Sequence, residues 1–110
     1  MQTIQIELGQ MRASAAEACR LMKVLANPDR LMILCQLSRG EMRVGELEAA
    51  LGIGQPTLSQ QLTVLRAEQL VATRREGKHI RYRATSPRAM AVMQVLYEQF
   101  CERGAHAAHS

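Results

Sequence analysis

The residues able to do chemistry fall into four groups. The first is three cysteines, Cys19, Cys35 and Cys101. A thiolate is a nucleophile and a redox partner, but a lone cysteine on an apolar helix face more often serves as a small hydrophobic side chain. Cys35, in LMILC, and Cys101, in YEQFC, both fit the packing description. No histidine or arginine motif stands beside either thiol to lower its pKa, which weighs against a thiol enzyme such as a small peroxidase. The second group is cationic. From Arg66 to Arg88 there are seven basic residues against two acids, Glu68 and Glu76, on a chain whose formal net charge is only +4. A local basic segment on a near-neutral body suits a polyanion, or is simply a solvated face. The third group, Thr57, Ser59, Gln60, Gln61 and Thr63, is polar and uncharged and both donates and accepts hydrogen bonds. The fourth is His106 and His109, whose HxxH spacing supplies half a metal site at best.

The elements that position these groups are mostly helices. Hydrophobic residues make up 47% of the 110, but aromatics only 3%, so Leu, Met, Ala and Val, mostly good helix formers, supply the bulk. One domain is the expected content of this length, and its small core favours a partner subunit. Sandwiches, propellers and large active-site enzymes are disfavoured. No apolar run approaches the roughly 20 residues needed to span a bilayer, and MQTIQIELGQ has neither the basic start nor the apolar centre of a signal peptide. A soluble, cytoplasmic protein is expected.

A first helix is expected over about 14–26, with Glu17, Arg20 and Lys23 in one narrow stripe and apolar residues on either side. That is too much apolar surface for one small core and implies packing on two sides. Asn27-Pro28 breaks the chain and starts a second helix to about Ser38, with Leu31, Leu34, Cys35 and Ser38 on one face. Over about 44–69 a short helix carrying Leu47 and Leu51 is closed by Gly52. The turn Gly52-Ile53-Gly54 then leads into a helix with Leu58, Leu62, Leu65 and Leu70 on its buried side. These are the parts of a helix-turn-helix. Over about 71–84 the period changes to two, with Glu76-Gly77 at the turn of a hairpin that carries Arg74, Arg75, Lys78, His79 and Arg81. A last helix over about 86–103 has two apolar rows: Met90, Met93, Tyr97 and Phe100, and Ala89, Val92 and Leu96. The tail GAHAAHS reads as frayed.

The fold class is therefore mainly α with a small β-hairpin wing: a single winged helix-turn-helix domain over 1–110, forming a homodimer through its first and last helices. Gln, Ser and Thr on a helix can read base edges in the major groove, and a cationic hairpin beside it suits phosphates or the minor groove. Double-stranded DNA is the expected partner, and a two-fold dimer favours a palindromic operator. No membrane partner, cofactor or catalytic residue is expected. A winged helix that only binds protein is the competing class, and a steep loss of binding with salt separates the two.

The stretch LMKVLANPDRLMILCQL, followed by GEMRVGELEAALGIGQPTLSQQLTVLRAEQLVATRREGKHIRYR, resembles the ArsR/SmtB family of dimeric repressors over about residues 18–101. The family's recognition helix commonly reads SxxSxHLxxLRxxGLV, and Gln61 stands here where His is usual. The resemblance implies that Gln55, Pro56, Thr57, Ser59, Gln60 and Gln61 lie at the major groove. It also implies a sensing site. The arsenic-sensing CxC pair has no counterpart in Glu41–Leu47, and the zinc-type Asp-x-His has none in Pro87–Gln94, so no regulatory metal is expected. The pair Cys35 and Cys101 resembles that of the thiol-sensing BigR, SqrR and HlyU subgroup, as does GIGQPTLSQQL. There, reactive sulfur species join two thiols and the repressor leaves DNA. A general redox-sensing or a metal-responsive repressor of the same family is the alternative. Cys19 is assigned to packing.

Overall fold

The computed structural model describes residues 4–102. The order is α1 (Leu8–Leu25), α2 (Pro28–Leu37), β1 (Met42–Arg43), α3 (Val44–Leu51), α4 (Gln55–Ala67), β2 (Val71–Glu76), β3 (His79–Ala84) and α5 (Pro87–Tyr97). A π-helical segment, Glu98–Glu102, continues α5. The winged helix-turn-helix order holds, with three differences at its edges. The first helix starts at Leu8 rather than near Ser14, because Glu7 acts as N-cap and accepts from the Gln10 N–H at 2.7 Å. The regular part of the last helix stops at Tyr97, and the last turn is π-helical rather than α-helical. A third strand, β1, joins the hairpin. Expectations for the tail, His106 and His109 included, lie outside the described residues.

Local signals account for the helix ends. Asn27 caps α2 by accepting the Arg30 N–H at 3.1 Å, and Pro28 fills the first turn, where no intrahelical donor is needed. Ser86 does the same for α5, accepting from Ala89 N–H at 3.1 Å. Helix α4 ends in a reciprocal pair of backbone bonds, Leu70 N–H to Leu65 O at 2.9 Å and Gln69 N–H to Arg66 O at 3.0 Å. This closure requires a left-handed residue, and Gln69 takes it at φ 64°. Glycine reaches that region without the Cβ clash, so Gln69→Gly is expected to stabilise the fold by about 1 kcal/mol, read from the midpoint of urea unfolding.

The core is aliphatic. Ile33, Leu34 and Leu37 of α2, Leu47 of α3 and Leu58, Leu62 and Leu65 of α4 are buried together with Leu70, Val71 and Ala89. The α4 row is the one its spacing predicts. For α2 the buried face is turned from the expected one: Ile33, Leu34 and Leu37 go inside, whereas Cys35 and Ser38 are exposed. Helix α1 contributes only Val24 and Leu25 to the core, and Leu8, Met11 and Met22 remain exposed. On α5 the first turns pack inward through Ala89, Met90, Val92 and Met93, whereas Val95, Tyr97 and Phe100 are exposed.

The sheet is antiparallel in the order β1-β3-β2. Its register pairs Val71 with Ala84, Thr73 with Tyr82 and Arg75 with Ile80 on one face, and Ala72 with Arg83, Arg74 with Arg81 and Glu76 with His79 on the other. The first face rests on the core through Val71 and Tyr82. The second face carries most of the wing's charge. Gly77, at φ 61°, makes the hairpin turn. Among the described residues, no helix is long and apolar enough to cross a membrane.

Candidate DNA-binding face and thiol pair

Burying Leu58, Leu62 and Leu65 turns the rest of α4 outward. Gln55, Pro56, Thr57, Ser59 and Gln60 are exposed, as the sequence predicts for a reading face. Gly54, the N-cap, has no side chain to satisfy the first turn, so the N–H groups there lie at the positive end of the helix and suit a phosphate. The sequence signal for it is glycine at the cap. The Thr63 hydroxyl is used within the helix, donating to Ser59 O at 2.9 Å. Gln61 differs from its neighbours. It is partly buried, and its Oε1 accepts from Arg30 Nη1 at 2.9 Å.

The wing's cations divide into paired and open. Arg74 Nη2 lies 2.7 Å from Glu41 Oε1 and 3.5 Å from Glu76 Oε2. Arg81 Nε lies 2.8 Å from the other Glu76 oxygen, and its Nη1 lies 3.8 Å from Glu46 Oε1. Arg43 Nη1 approaches the His79 ring at 3.4 Å. The Arg74 hydrogen bond holds the Glu41 carboxyl below its ordinary range, and the Arg81 hydrogen bond does the same for Glu76. Glu46 is lowered chiefly because it accepts the Arg43 backbone N–H at 2.8 Å, closing the start of α3.

Of the five wing residues expected to face a polyanion, Arg74, Arg81 and His79 thus have partners within the chain. Arg75 and Lys78 are exposed, with no acidic partner among the described residues. Arg83, missed in the candidate set, is exposed on the same face as Arg81, and its alternation with Arg81 was the available signal. Exposed pairs like these stabilise a fold little; their main effect is to neutralise charge. Glu76→Gln removes the acid shared by Arg74 and Arg81. The expected result is tighter binding to any duplex and a plot of log affinity against log salt steeper by about one, measured by fluorescence anisotropy.

Cys19, Cys35 and Cys101 are free and exposed in the single chain. For all three this departs from the packing description: Cys19 lies on a part of α1 that the core does not cover, and Cys35 and Cys101 are likewise outside it. For Cys35 the cause is the turned face of α2, and for Cys101 its position in the π-helical segment beyond the packed turns of α5. Helix α2 packs on α5. Burial of part of the Cys35 thiol pushes its pKa up, and the charge of the Cys101 thiolate pushes it further. The two thiols lie on elements far apart in sequence, on α2 and at the end of the helix that packs on it. A raised pKa favours the neutral thiol, so alkylation of Cys35 by iodoacetamide is expected to be slower than that of free cysteine at neutral pH. It then goes on rising beyond the pH at which free cysteine levels off. Cys101→Ser removes the smaller of the two causes and speeds Cys35 alkylation at fixed pH, as peptide mapping would record. Among the described residues no group of three or more His, Cys, Asp or Glu side chains is placed to hold a metal ion.

Comparison with known proteins bears on the whole arrangement. A family model described as "Bacterial regulatory protein, arsR family" matches residues 27–73, from the α2 cap into β2. The chain is 52% identical over 97 residues to a biofilm growth-associated repressor of Agrobacterium fabrum, covering 88% of this chain and 83% of that one. The crystal structure of the transcriptional repressor BigR from Xylella fastidiosa matches with a TM-score of 0.84 at 49% identity, over 87% of this chain and 98% of that one. Reduced HlyU from Vibrio cholerae matches with a TM-score of 0.77 at 39% identity, over 84% and 97% respectively. The α4 face, the cationic hairpin and these likenesses lead to one assignment: the chain belongs to the arsR family of bacterial regulatory proteins, as a winged helix-turn-helix transcriptional regulator and not an enzyme.

Proposed function

We propose that the chain is a homodimeric repressor that binds a palindromic operator and leaves it when Cys35 and Cys101 are crosslinked by reactive sulfur species. Gln55, Pro56, Thr57, Ser59 and Gln60 face the major groove, and Arg75, Lys78 and Arg83 meet flanking phosphates. Arg74, Arg81 and His79 join them as DNA displaces their partners within the chain. The exposed apolar side chains of α1 and of the α5 end, Leu8, Met11, Met22, Val95, Tyr97 and Phe100 among them, form the dimer interface.

The observation that carries the switch is the placement of two free, exposed thiols, Cys35 on α2 and Cys101 on the segment that continues α5, with α2 packed on α5. A thiolate attacks the outer sulfur of a persulfide, RSSH, taking that sulfur and releasing RS⁻. The second thiolate then attacks the protein persulfide at its inner sulfur, expelling HS⁻ and leaving a disulfide. If both cysteines are first persulfidated, attack of one on the other expels HS⁻ and leaves a trisulfide. A direct disulfide needs Cα atoms within about 7 Å, and an added sulfur relaxes that limit. The bridge ties α2 to the end of α5 and so acts on the dimer interface.

The test is the intact mass of the reduced protein after exposure to a persulfide donor, and separately to peroxide and to a disulfide reagent, with peptide mapping. A Cys35–Cys101 bridge formed with the persulfide alone is the expected result. A plain disulfide from every oxidant makes the protein a general redox repressor instead. No reaction at either residue removes the thiol switch altogether.

A further inference from the structure

Arg30 ties three elements together. It lies in the first turn of α2 and is partly buried. Its Nε donates to Val24 O at 2.6 Å and its Nη2 to Lys23 O at 3.4 Å. Both carbonyls belong to the last turn of α1: Lys23 O also accepts the Ala26 N–H at 3.3 Å, whereas Val24 O faces Pro28 four residues on, which has no N–H to give it. Its Nη1 donates to Gln61 Oε1 at 2.9 Å, on α4. A planar guanidinium can make these bonds at fixed angles to one another, whereas an ammonium cannot. Gln61 is also set apart from Ser59 and Gln60, which are exposed. Its amide oxygen is already used, and its side chain lies against the body of the domain.

We propose that Arg30 is a positioning residue that sets α4 against the end of α1 through Gln61, and that Gln61 supports the helix from behind instead of reading a base. The consequence is a direct mechanical connection between a helix of the dimer interface and the recognition helix, independent of the thiol pair. This rests on the operator-binding reading and moves Gln61 out of the set of base-reading residues. A residue that reads a base and one that holds the helix differ in what their loss does. The first relaxes the preference at a single base pair. The second weakens binding to the preferred site and leaves the preference as it was.

The experiment selects duplexes from a random pool with the reduced full chain and with Gln61→Met, sequences the bound fractions, and measures affinity for the wild-type-selected duplex by anisotropy. Arg30→Lys, which keeps the charge, and the double variant complete a cycle. Each single change is expected to weaken binding about tenfold, the scale of one charge-assisted hydrogen bond. The double variant is expected to be no weaker than the weaker single, with every selected sequence the same as the wild type's. A changed preference at one base pair in Gln61→Met overturns the proposal, as do losses that multiply in the double variant. If Arg30→Lys does not fold, Gln61→Met decides alone: weaker binding with the same preference supports the role, and unchanged affinity overturns it. A wild-type chain that selects no sequence overturns the operator-binding reading itself, which is a different result from a variant that departs from the wild type.

Discussion

Cys35→Ser and Cys101→Ser are each expected to leave operator binding by the reduced protein unchanged and to abolish release by a persulfide donor. Both thiols are exposed in the single chain, so serine at either site removes no buried contact of the core. Neither residue lies on α4 or the wing, so the reading face is untouched. What is lost is the proposed covalent tie between α2 and the end of α5. Coupling between an effector and a second site typically spans about 5- to 150-fold in affinity, and that is the drop expected for the wild type on treatment. Anisotropy titrations before and after the donor measure it directly. Induction retained in both variants rejects the pair as the sensor. Induction lost in only one points to a single modified thiol, with no bridge.

Val95→Glu is expected to yield a folded monomer that binds the operator about 100-fold or more weakly. Val95 is 53% exposed in the single chain, so a carboxylate there costs the fold little. Placed in an interface between two copies, the same carboxylate would be buried twice about the two-fold axis without a partner. A dimer holds its second reading helix at high effective concentration once the first has bound, and a monomer forfeits that gain of roughly 10²–10⁴. Light scattering reports the mass, circular dichroism the retained helices, and anisotropy the affinity. A dimeric Val95→Glu protein would move the interface away from α5.

The parts of this molecule that could be read from sequence are those in which distant contacts do not compete with local pattern. The spacing of Leu58, Leu62 and Leu65 defines both the buried face of α4 and, by exclusion, its reading face. Gly52, Pro28 and Gly77 mark the ends and turns where they occur. Strand β1 is two residues long, too short to show an alternation, and exists because Met42 and Arg43 pair with Tyr82 and Arg81. The start of α1 was hidden because Glu7 is an uncommon cap and Gly9 a weak helix former. Cys35 reads as core because LMILC is apolar throughout, yet a helix on one small core buries only part of its circumference. The acids that occupy Arg74 and Arg81 come partly from Glu41 and Glu46, more than 30 residues away in sequence, and Gln61 meets Arg30 across a similar gap. Such pairings are products of the fold, invisible to any local pattern.

In the proposed dimer, strand β1 has a consequence for how two copies respond together. It joins the segment entering α3 to the returning strand of the wing, and the Arg43–His79 and Glu46–Arg81 contacts cross the same junction. Helix-turn-helix and wing are thereby locked into one reading head per protomer. A change at the dimer interface can then alter only the separation of the two heads and their phase around the duplex. Each base pair of spacer turns the second half-site by about 35° around the DNA axis. A small rotation of one head against the other is therefore equivalent to an operator with the wrong number of central base pairs, and each head goes on recognising its own half-site as before.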